Sequence, residues 1–377
     1  MSEDASAPSS KGTSEVQEAR KRQLGALEWA PRKKPRSADP LLHYGRHFGR
    51  TAHALCNVSS LLSNGILRLA EDEDEEGPRA EEDYPPEERR DWDVFCQLVE
   101  LVPGLKDRIT KGDNNELLQI STLVRFFHYT IIFFVIDTTQ IQKGISCARS
   151  DDTRGLKGAI LDWIVPRGEV LNPPLYRNVK HDRGFHHERT GALLCPTEYD
   201  WNDEKIKEQL RSGELAMSGD VWPAFVYQGY KANEDDIWDG LFRSALLVTA
   251  YKYIFTSPSS VEREAKATRS GNARIHGMKE VTMPSIAYVA TQVRFALSSS
   301  AVFSRGDSTT DSERFYNSIL DLFEDPEEQS EVTLLRKWWN SQIFPAALST
   351  RPAAKEGTLA RIKARRRALQ ARSMNSQ

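Results

Sequence analysis

Cysteine is scarce in this sequence, and the spacing of its four cysteines excludes two common kinds of site. Cys56, Cys96, Cys147 and Cys195 lie far apart, and none belongs to a CxxC pair. Disulfide scaffolds and cysteine zinc sites both require denser spacing. The first residues, Met-Ser-Glu-Asp-Ala-Ser, are polar and lack the apolar core of a signal peptide. We therefore expect reduced thiols in an intracellular protein.

Long apolar runs are also missing. The longest, at residues 130–136, is far shorter than the ~20 residues that a membrane-spanning helix needs. The chain nevertheless has 15 Phe, 11 Tyr and 8 Trp, and 39% of its 377 residues are hydrophobic. These residues are sufficient for a substantial core. The composition thus predicts a soluble folded protein with no membrane partner.

Familiar catalytic motifs are absent as well. The sequence has no HExxH metal motif, no GxSxG nucleophile motif and no GxxxxGK[ST] phosphate-binding loop. Each of these motifs places a reactive group at a fixed point of a fold, so their absence argues against the corresponding enzymes. We predict no cofactor and favour a protein without enzymatic activity.

The net charge of −3 is distributed unevenly along the chain. Residues 1–40 carry a net charge of +2 and residues 351–377 carry +7, which leaves −12 on residues 41–350. An acidic body is not typical of a protein that binds nucleic acid over its whole surface. The basic ends could still contact phosphates.

The periodicity of apolar residues predicts a mainly α-helical, irregular domain over residues 40–345, with long loops rich in Gly, Pro and His. A disordered basic arm at 1–39 precedes it, an acidic linker at 71–86 interrupts it, and a basic tail at 346–377 follows it. No internal repeat and no series of alternating strands is present. The predicted helices are 40–64, 87–102, 152–164, 202–212, 236–255, 284–297, 311–323 and 327–344, with irregular chain at 166–196 and a polar loop at 257–280.

Two basic clusters in the N-terminal arm are typical of a bipartite nuclear-import signal. The first cluster is Arg20, Lys21 and Arg22, and the second is Arg32, Lys33, Lys34 and Arg36. Pro31 and Pro35 favour an extended, accessible second cluster. The alternative is a solvated run of charge. We predict a nuclear location, with the cytoplasm as the alternative.

Several short blocks resemble a family of domains of unknown function that is expanded in mushroom-forming fungi. The blocks are HYGRHFGRT at 43–51, SDDT at 150–153, LDWI at 161–164, NPPL at 172–175, RGFHH at 183–187, TG at 190–191, LCP at 194–196, TRSGN at 268–272 and DSERFY at 311–316. The resemblance covers roughly residues 41–345. It implies a domain extent and a fungal source, but no reaction and no catalytic residues.

Residues 124–140 interrupt this resemblance, because the family resembles a helix that runs directly into Ile141. The interruption is 17 residues long, equivalent to 51 nucleotides, and its run of Phe and Ile has codons rich in A and T. Valine codons begin with GT and one glutamine codon ends with AG, as introns do. We interpret 124–140 as a translated intron. The alternative is a genuine buried segment, since aromatic and β-branched runs also occur in cores.

The strongest chemical signal is a histidine-rich stretch containing His181, His186, His187 and Glu188. Histidine and carboxylate are metal ligands and general bases, so these residues are the candidate catalytic or metal site. Their spacing matches no metal motif, and hydrogen bonds that fix a long loop are the alternative. A second candidate pair, His43 and His47, falls one helical turn apart beside two arginines.

Basic residues among small ones provide candidate nucleic-acid contacts. The candidates are Arg269 and Arg274 in the loop 257–278, and Arg361, Lys363, Arg365, Arg366 and Arg367 in the tail. The favoured function is therefore a nuclear protein that interacts with a protein partner or with nucleic acid. The alternative function is a metal-dependent enzyme that uses the histidine-rich loop. The sequence does not specify an oligomeric state.

Overall fold

The computed structural model describes residues 39–71, 80–105, 120–166, 168–256, 271–305, 311–345 and 365–366, and gives the backbone alone for residues 70, 71, 81 and 120–136. The basic arm therefore lies outside the described residues. Residues 41–377 form one compact unit. Regular structure in the described ranges is helical, with two isolated β-bridges, Pro196–Pro223 and Tyr227–Leu241. The predicted mainly α fold is confirmed.

The α-helices of the described ranges are numbered here in chain order. They are α1 Pro40–Thr51, α2 Val58–Glu71, α3 Pro86–Leu101, α4 Ile120–Trp163, α5 Glu188–Leu194, α6 Glu204–Ser212, α7 Ala245–Tyr251, α8 Asn272–Ile275, α9 Met283–Leu297, α10 Ser312–Glu324 and α11 Gln329–Ile343. Short 3-10 helices lie at Glu81–Asp83, Gly184–His186, Ala224–Val226, Gln228–Tyr230 and Pro326–Glu328, and a π-helix at Lys252–Thr256. No helix in this part of the chain combines the length and apolar character needed to cross a membrane.

The single helix predicted at 40–64 is wrong, because the chain leaves the helix after Thr51. Side chains distant in sequence bind the intervening backbone: the Ala54 amide donates to the Tyr316 hydroxyl (3.2 Å), and the Arg149 guanidinium donates to the Ala54 carbonyl (3.1 Å). Asn57 then accepts hydrogen bonds from the first amides of α2. Tertiary hydrogen bonds thus overcome helix propensity here.

The helix predicted at 236–255 is also wrong in its first half. Asp236 accepts a hydrogen bond from the Trp238 amide, and Gly240 has a positive φ of 76°, so this stretch forms turns. Ser244 caps α7 by accepting from the Leu247 amide (3.2 Å). Ile237, expected on the apolar face, is exposed. The predictions at 87–102, 202–212, 284–297, 311–323 and 327–344 match helices to within a few residues.

Helix α9 is the centre of the main hydrophobic core. Every residue from Ser285 to Leu297 is buried, which is the pattern of a helix surrounded by protein on all sides. It packs against α4, α7 and α10. Trp339 of α11 completes this core, with no exposed surface and with its indole N–H donating to the Phe242 carbonyl. A second core lies between α1, α2, α3 and the middle of α4.

Helices α1 and α4 cross at three glycines that allow their backbones to touch. A Cβ at Gly45 would collide with the Ile141 carbonyl, and a Cβ at Gly144 would collide with the Leu42 carbonyl. Gly49 faces Ile145 in the same way. Because the obstructing atoms are mainly backbone, they cannot rotate away as a flexible side chain can. This crossing holds α1 in place against α4.

We expect Gly144→Ala to destabilise the protein by about 1–3 kcal/mol, because the added methyl group forces α1 and α4 apart. The matched control is Gly158→Ala on the same helix. There the atom nearest to the added Cβ is on the Arg177 side chain, 3.7 Å away. That change should be neutral or stabilising, since alanine favours a helix by up to ~1 kcal/mol over glycine. Denaturant titration measures both changes. Equal losses of unfolding free energy in the two variants would show that the crossing of α1 and α4 is not close-packed.

The interpretation of residues 124–140 as an intron stays a prediction. The backbone of α4 runs through this segment without a break. Excision would place Ile120 at the position of Asp137 and Ser121 at that of Thr138, and both of these positions are buried. An apolar residue would thus replace a buried acid next to Ile141 in the second core.

We therefore expect the chain without residues 124–140 to be expressed in more soluble form than the 377-residue chain. Sequencing of the transcript tests the interpretation directly. A message that always retains the 51 nucleotides, or a CAA codon for Gln140, would refute it.

Candidate functional site

The four candidate residues of the histidine-rich loop do not converge. His181 is exposed and pairs with the neighbouring Asp182. His186 and Glu188 are also exposed, whereas His187 is buried. No group of three or more His, Cys, Asp or Glu in the described part of the chain could hold a metal ion. The geometry therefore gives no support to a metal centre or a catalytic group at this loop.

His187 instead holds the chain in place at the start of α5. Its Nδ1 accepts a hydrogen bond from the Arg189 amide (3.0 Å), and its Nε2 lies 2.9 Å from the Pro173 carbonyl. Both ring nitrogens are thus used in fixing the loop. The expectation of irregular chain throughout 166–196 missed α5, because a histidine is an unusual N-cap. Glu188 accepts from the Trp201 indole (2.7 Å) and pairs with Lys207 (3.2 Å).

Two basic residues of the same loop bind the end of α9. Lys180 donates to the carbonyls of Phe295 (2.5 Å) and Ser300 (2.6 Å). Arg183, which has no exposed surface, donates to the Ala296 carbonyl (2.9 Å). Cations at a helix C-terminus satisfy its free carbonyls and interact favourably with the helix dipole. This part of the RGFHH block is therefore structural.

A different group of charged and polar side chains, built on a buried ion pair, lies between α1, α4 and α9. Arg50 binds Asp152 through two parallel hydrogen bonds, Nε to Oδ2 at 2.7 Å and Nη2 to Oδ1 at 2.8 Å. The Tyr288 hydroxyl donates to the same carboxylate at 2.6 Å. Arg50 is 3% exposed and Tyr288 2%. Bidentate geometry of this kind is the strongest that an arginine makes with a carboxylate.

The environment fixes the charge states of this group. Burial by itself would lower the pKa of Arg50, but hydrogen bonds to Asp152 and its charge outweigh burial and raise that pKa. Burial, followed by the charge of Asp152, raises the pKa of Tyr288 well above its ordinary value. Arg50 is therefore charged and Tyr288 protonated at neutral pH. The tyrosine is a hydrogen-bond donor here, not a base.

Two histidines stack beside the ion pair. The rings of His47 and His276 are 4.3 Å apart and nearly parallel, at 5°. Burial, with the charges of His276 and Arg50, lowers the pKa of His47 to about 4. Burial, with the charges of Arg50, His43 and Arg46, lowers that of His276 to about 4 as well. Both rings are neutral at pH 7, which permits the stacking.

Three polar atoms in or beside this cluster are buried without a hydrogen-bond partner among the described residues. They are Nδ1 of His47, Nη1 of Arg50 and Nε2 of Gln292. Gln292 lies one turn after Tyr288 on α9 and accepts a hydrogen bond from Thr153 (2.9 Å). Such atoms are costly, at about 1–3 kcal/mol each. The cluster thus retains hydrogen-bonding capacity that its own residues do not use.

The predicted nucleic-acid contacts lie partly outside the described residues. Arg269, Arg361, Lys363 and Arg367 are not described, nor are the seven import-signal residues. Arg274 is exposed on α8, two residues before His276. Arg365 and Arg366 are also exposed. Among the described candidates, Arg274 is the one that lies close in sequence to a residue of the buried cluster.

Sequence analysis missed Asp152, Tyr288 and Gln292 as members of a site. The blocks HYGRHFGRT and SDDT did single out Arg50 and Asp152, but gave them no role. The signal that could have identified a site residue was a charged residue on the apolar face of a predicted helix. Asp152 is such a residue, since Leu156 and Ile160 follow it at helical spacing and are fully buried.

The fold and this cluster define an all-helical domain that is organised around a buried arginine–carboxylate pair. Residues 143–344, more than half of the chain, match the model of a family of unknown function (DUF6698). The chain belongs to this family. The resemblance to a domain of unknown function is thereby confirmed over that range, and the block at 43–51 precedes it. No curated protein and no solved structure matches the chain.

We expect Asp152→Ala to cost about 3–5 kcal/mol of unfolding free energy, because it leaves the Arg50 charge buried without a partner. The neighbouring Asp151→Ala removes a pair with Arg46 in which Asp151 is 50% exposed. That loss should be within about 1 kcal/mol. Chemical denaturation of both variants provides the measurement. Similar losses for the two aspartates would contradict a structural role for the buried pair.

Proposed function

We propose that the protein is a non-enzymatic nuclear protein that contacts nucleic-acid phosphates through two basic surfaces. One surface, called here the histidine surface, consists of His43, Arg46, Arg274 and His276. The other is the basic tail, residues 346–377. The observation that carries the proposal is the stacking of His276 on His47 at 4.3 Å, which joins residue 276 to the helix that carries His43 and Arg46, with the exposed Arg274 two residues before it in the sequence.

The histidine surface has the electrostatic character of a phosphate contact. Burial, and after it the charges of Arg50, His43 and Arg46, lowers the pKa of His276. Arg46 pairs with Asp151, which is half exposed and therefore exchangeable for a phosphate. Arg274 makes no ion pair among the described residues. Arg46 and Arg274 thus supply the kind of side chain that contacts a nucleic-acid backbone.

Salt-dependent binding tests the proposal. The full chain is titrated into a labelled 20-base-pair duplex at several salt concentrations, with anisotropy as the readout. Each phosphate contact that is lost reduces the slope of log affinity against log salt by about 1. We expect Arg274→Ala to reduce the slope by about 1, and the double change Arg365→Ala and Arg366→Ala by about 2.

Arg336→Ala is the matched control, because Arg336 is an exposed arginine on α11 outside both surfaces. It should leave the slope unchanged. If Arg336→Ala has the same effect as Arg274→Ala, the binding reflects overall charge rather than the histidine surface. If the unchanged chain shows no salt-dependent binding, the proposal is wrong.

The nuclear part of the proposal rests on the two basic clusters of the N-terminal arm. A fluorescent fusion of the full chain should accumulate in the nucleus, and changing Arg32, Lys33 and Lys34 to alanine should release it to the cytoplasm. The matched control changes Arg365, Arg366 and Arg367 to alanine, which removes the same charge from the tail. An even distribution of the unchanged fusion would refute the nuclear location.

A further inference from the structure

Two adjoining cavities lie between α2, α3 and α10. The smaller has a volume of about 280 Å³ and is lined by α2, Tyr84 and Trp92, among others. The larger, of about 370 Å³, is lined by residues that include Arg90, Arg305 and Asp321. Leu61 and Asp91 line both cavities. Each cavity by itself is near the lower end of the size range of ligand sites, about 300–1,000 Å³, and the two together form one groove.

The groove has more negative than positive charge available to a ligand. Three arginines line it: Arg90 pairs with Asp321 and Glu324, both at 2.6 Å, Arg305 pairs with Glu313, and Arg68 lies over two aromatic rings. Glu87, Glu88 and Asp91 are exposed, and they make no ion pair within the described residues. Burial, together with Glu87 and Glu88, raises the pKa of Asp91 although Arg90 opposes this. A cation in the groove would relieve that repulsion.

The smaller cavity also contains a hydrogen-bond donor that lacks an acceptor. The Arg68 guanidinium lies over the ring of Tyr84 (3.9 Å) and over that of Trp92 (4.5 Å). Its Nη1 is buried and has no hydrogen-bond partner among the residues that the structure describes. The aromatic contacts hold this guanidinium in position. An acceptor oxygen from a ligand would satisfy it.

Simpler occupants meet only part of these requirements. Acidic residues in the first turn of a helix stabilise its dipole, which accounts for Glu87 and Glu88 but not for the cavities or for Arg68. No group of described residues could hold a metal ion. A polyamine would pair with the carboxylates but has no acceptor for Arg68. A basic peptide has both cationic side chains and main-chain carbonyls.

We propose that this groove binds an arginine- or lysine-rich peptide segment of another protein. A cationic side chain of the peptide pairs with Asp91 between the two cavities, and Glu87 and Glu88 attract its neighbours. A peptide carbonyl accepts from Nη1 of Arg68. The net charge of −12 on residues 41–350 favours the approach of such a partner. Arg365 and Arg366, the described residues of the chain's own tail, are exposed.

Peptide titration tests this site. The full chain is titrated against a labelled hexapeptide with three arginines, and against a counterpart in which neutral citrulline replaces each arginine. Anisotropy should show binding of the arginine peptide alone. Asp91→Asn should weaken it about fivefold, because one charged contact is worth up to about 1 kcal/mol. Glu87→Gln, a second variant at an exposed position, should weaken it in the same direction.

Glu100→Gln is the matched control, because it removes the same charge from an exposed position at the far end of α3. It should change the affinity less than twofold. Equal losses for Asp91→Asn and Glu100→Gln, or equal binding of the citrulline peptide, would overturn the proposal. If deletion of residues 355–377 increased peptide affinity tenfold, the chain's own tail would be the occupant, and the assignment to another protein would be overturned.

Discussion

The fold depends on one buried interaction, the ion pair of Arg50 and Asp152. Arg50 comes from α1, Asp152 from α4, and the Tyr288 hydroxyl that completes the carboxylate from α9. Removing two charges from water costs several kcal/mol per ion, and only a well-aligned pair with additional hydrogen bonds offsets that cost. The three helices therefore have little freedom to rotate against one another. We infer that this pair specifies their arrangement more than it adds stability.

The glycines of α1 and α4 are a steric condition for the same interaction. Arg50 reaches Asp152 only because α1 lies close against α4, and that closeness requires the absence of a side chain at Gly45, Gly49 and Gly144. The Thr282 hydroxyl then donates to the Thr51 carbonyl (2.7 Å) and links the end of α1 to the start of α9. The close backbone packing, the ion pair and this hydrogen bond thus all act where α1, α4 and α9 meet.

Apolar periodicity predicted α3, α6, α9, α10 and α11 to within a few residues. It failed at residues 52–57, where side chains far away in the sequence bind the backbone, because a local pattern contains no information about such partners. It also failed at 236–244, where Asp236 and Gly240 form turns and the distant Trp339 indole donates to the Phe242 carbonyl. For the same reason, the roles of the site residues could not be predicted from the sequence. His187 was visible as a histidine, but its two partners decide that it is structural. Asp152 was visible as an acid, but its role depends on Arg50, about a hundred residues earlier.

The family match begins at Lys143, inside α4, and the contacts argue that the folding unit begins earlier. A chain starting at that residue would contain Asp152 and Tyr288 but not Arg50, so the buried carboxylate would lack its counter-charge. It would also lose α1, which covers Gly144 and Ile145. Uncompensated buried charge and uncovered apolar surface both oppose folding. The elements from α1 onward therefore belong to the same compact unit as the family region, and the segment before Lys143 supplies the arginine that pairs with its buried carboxylate.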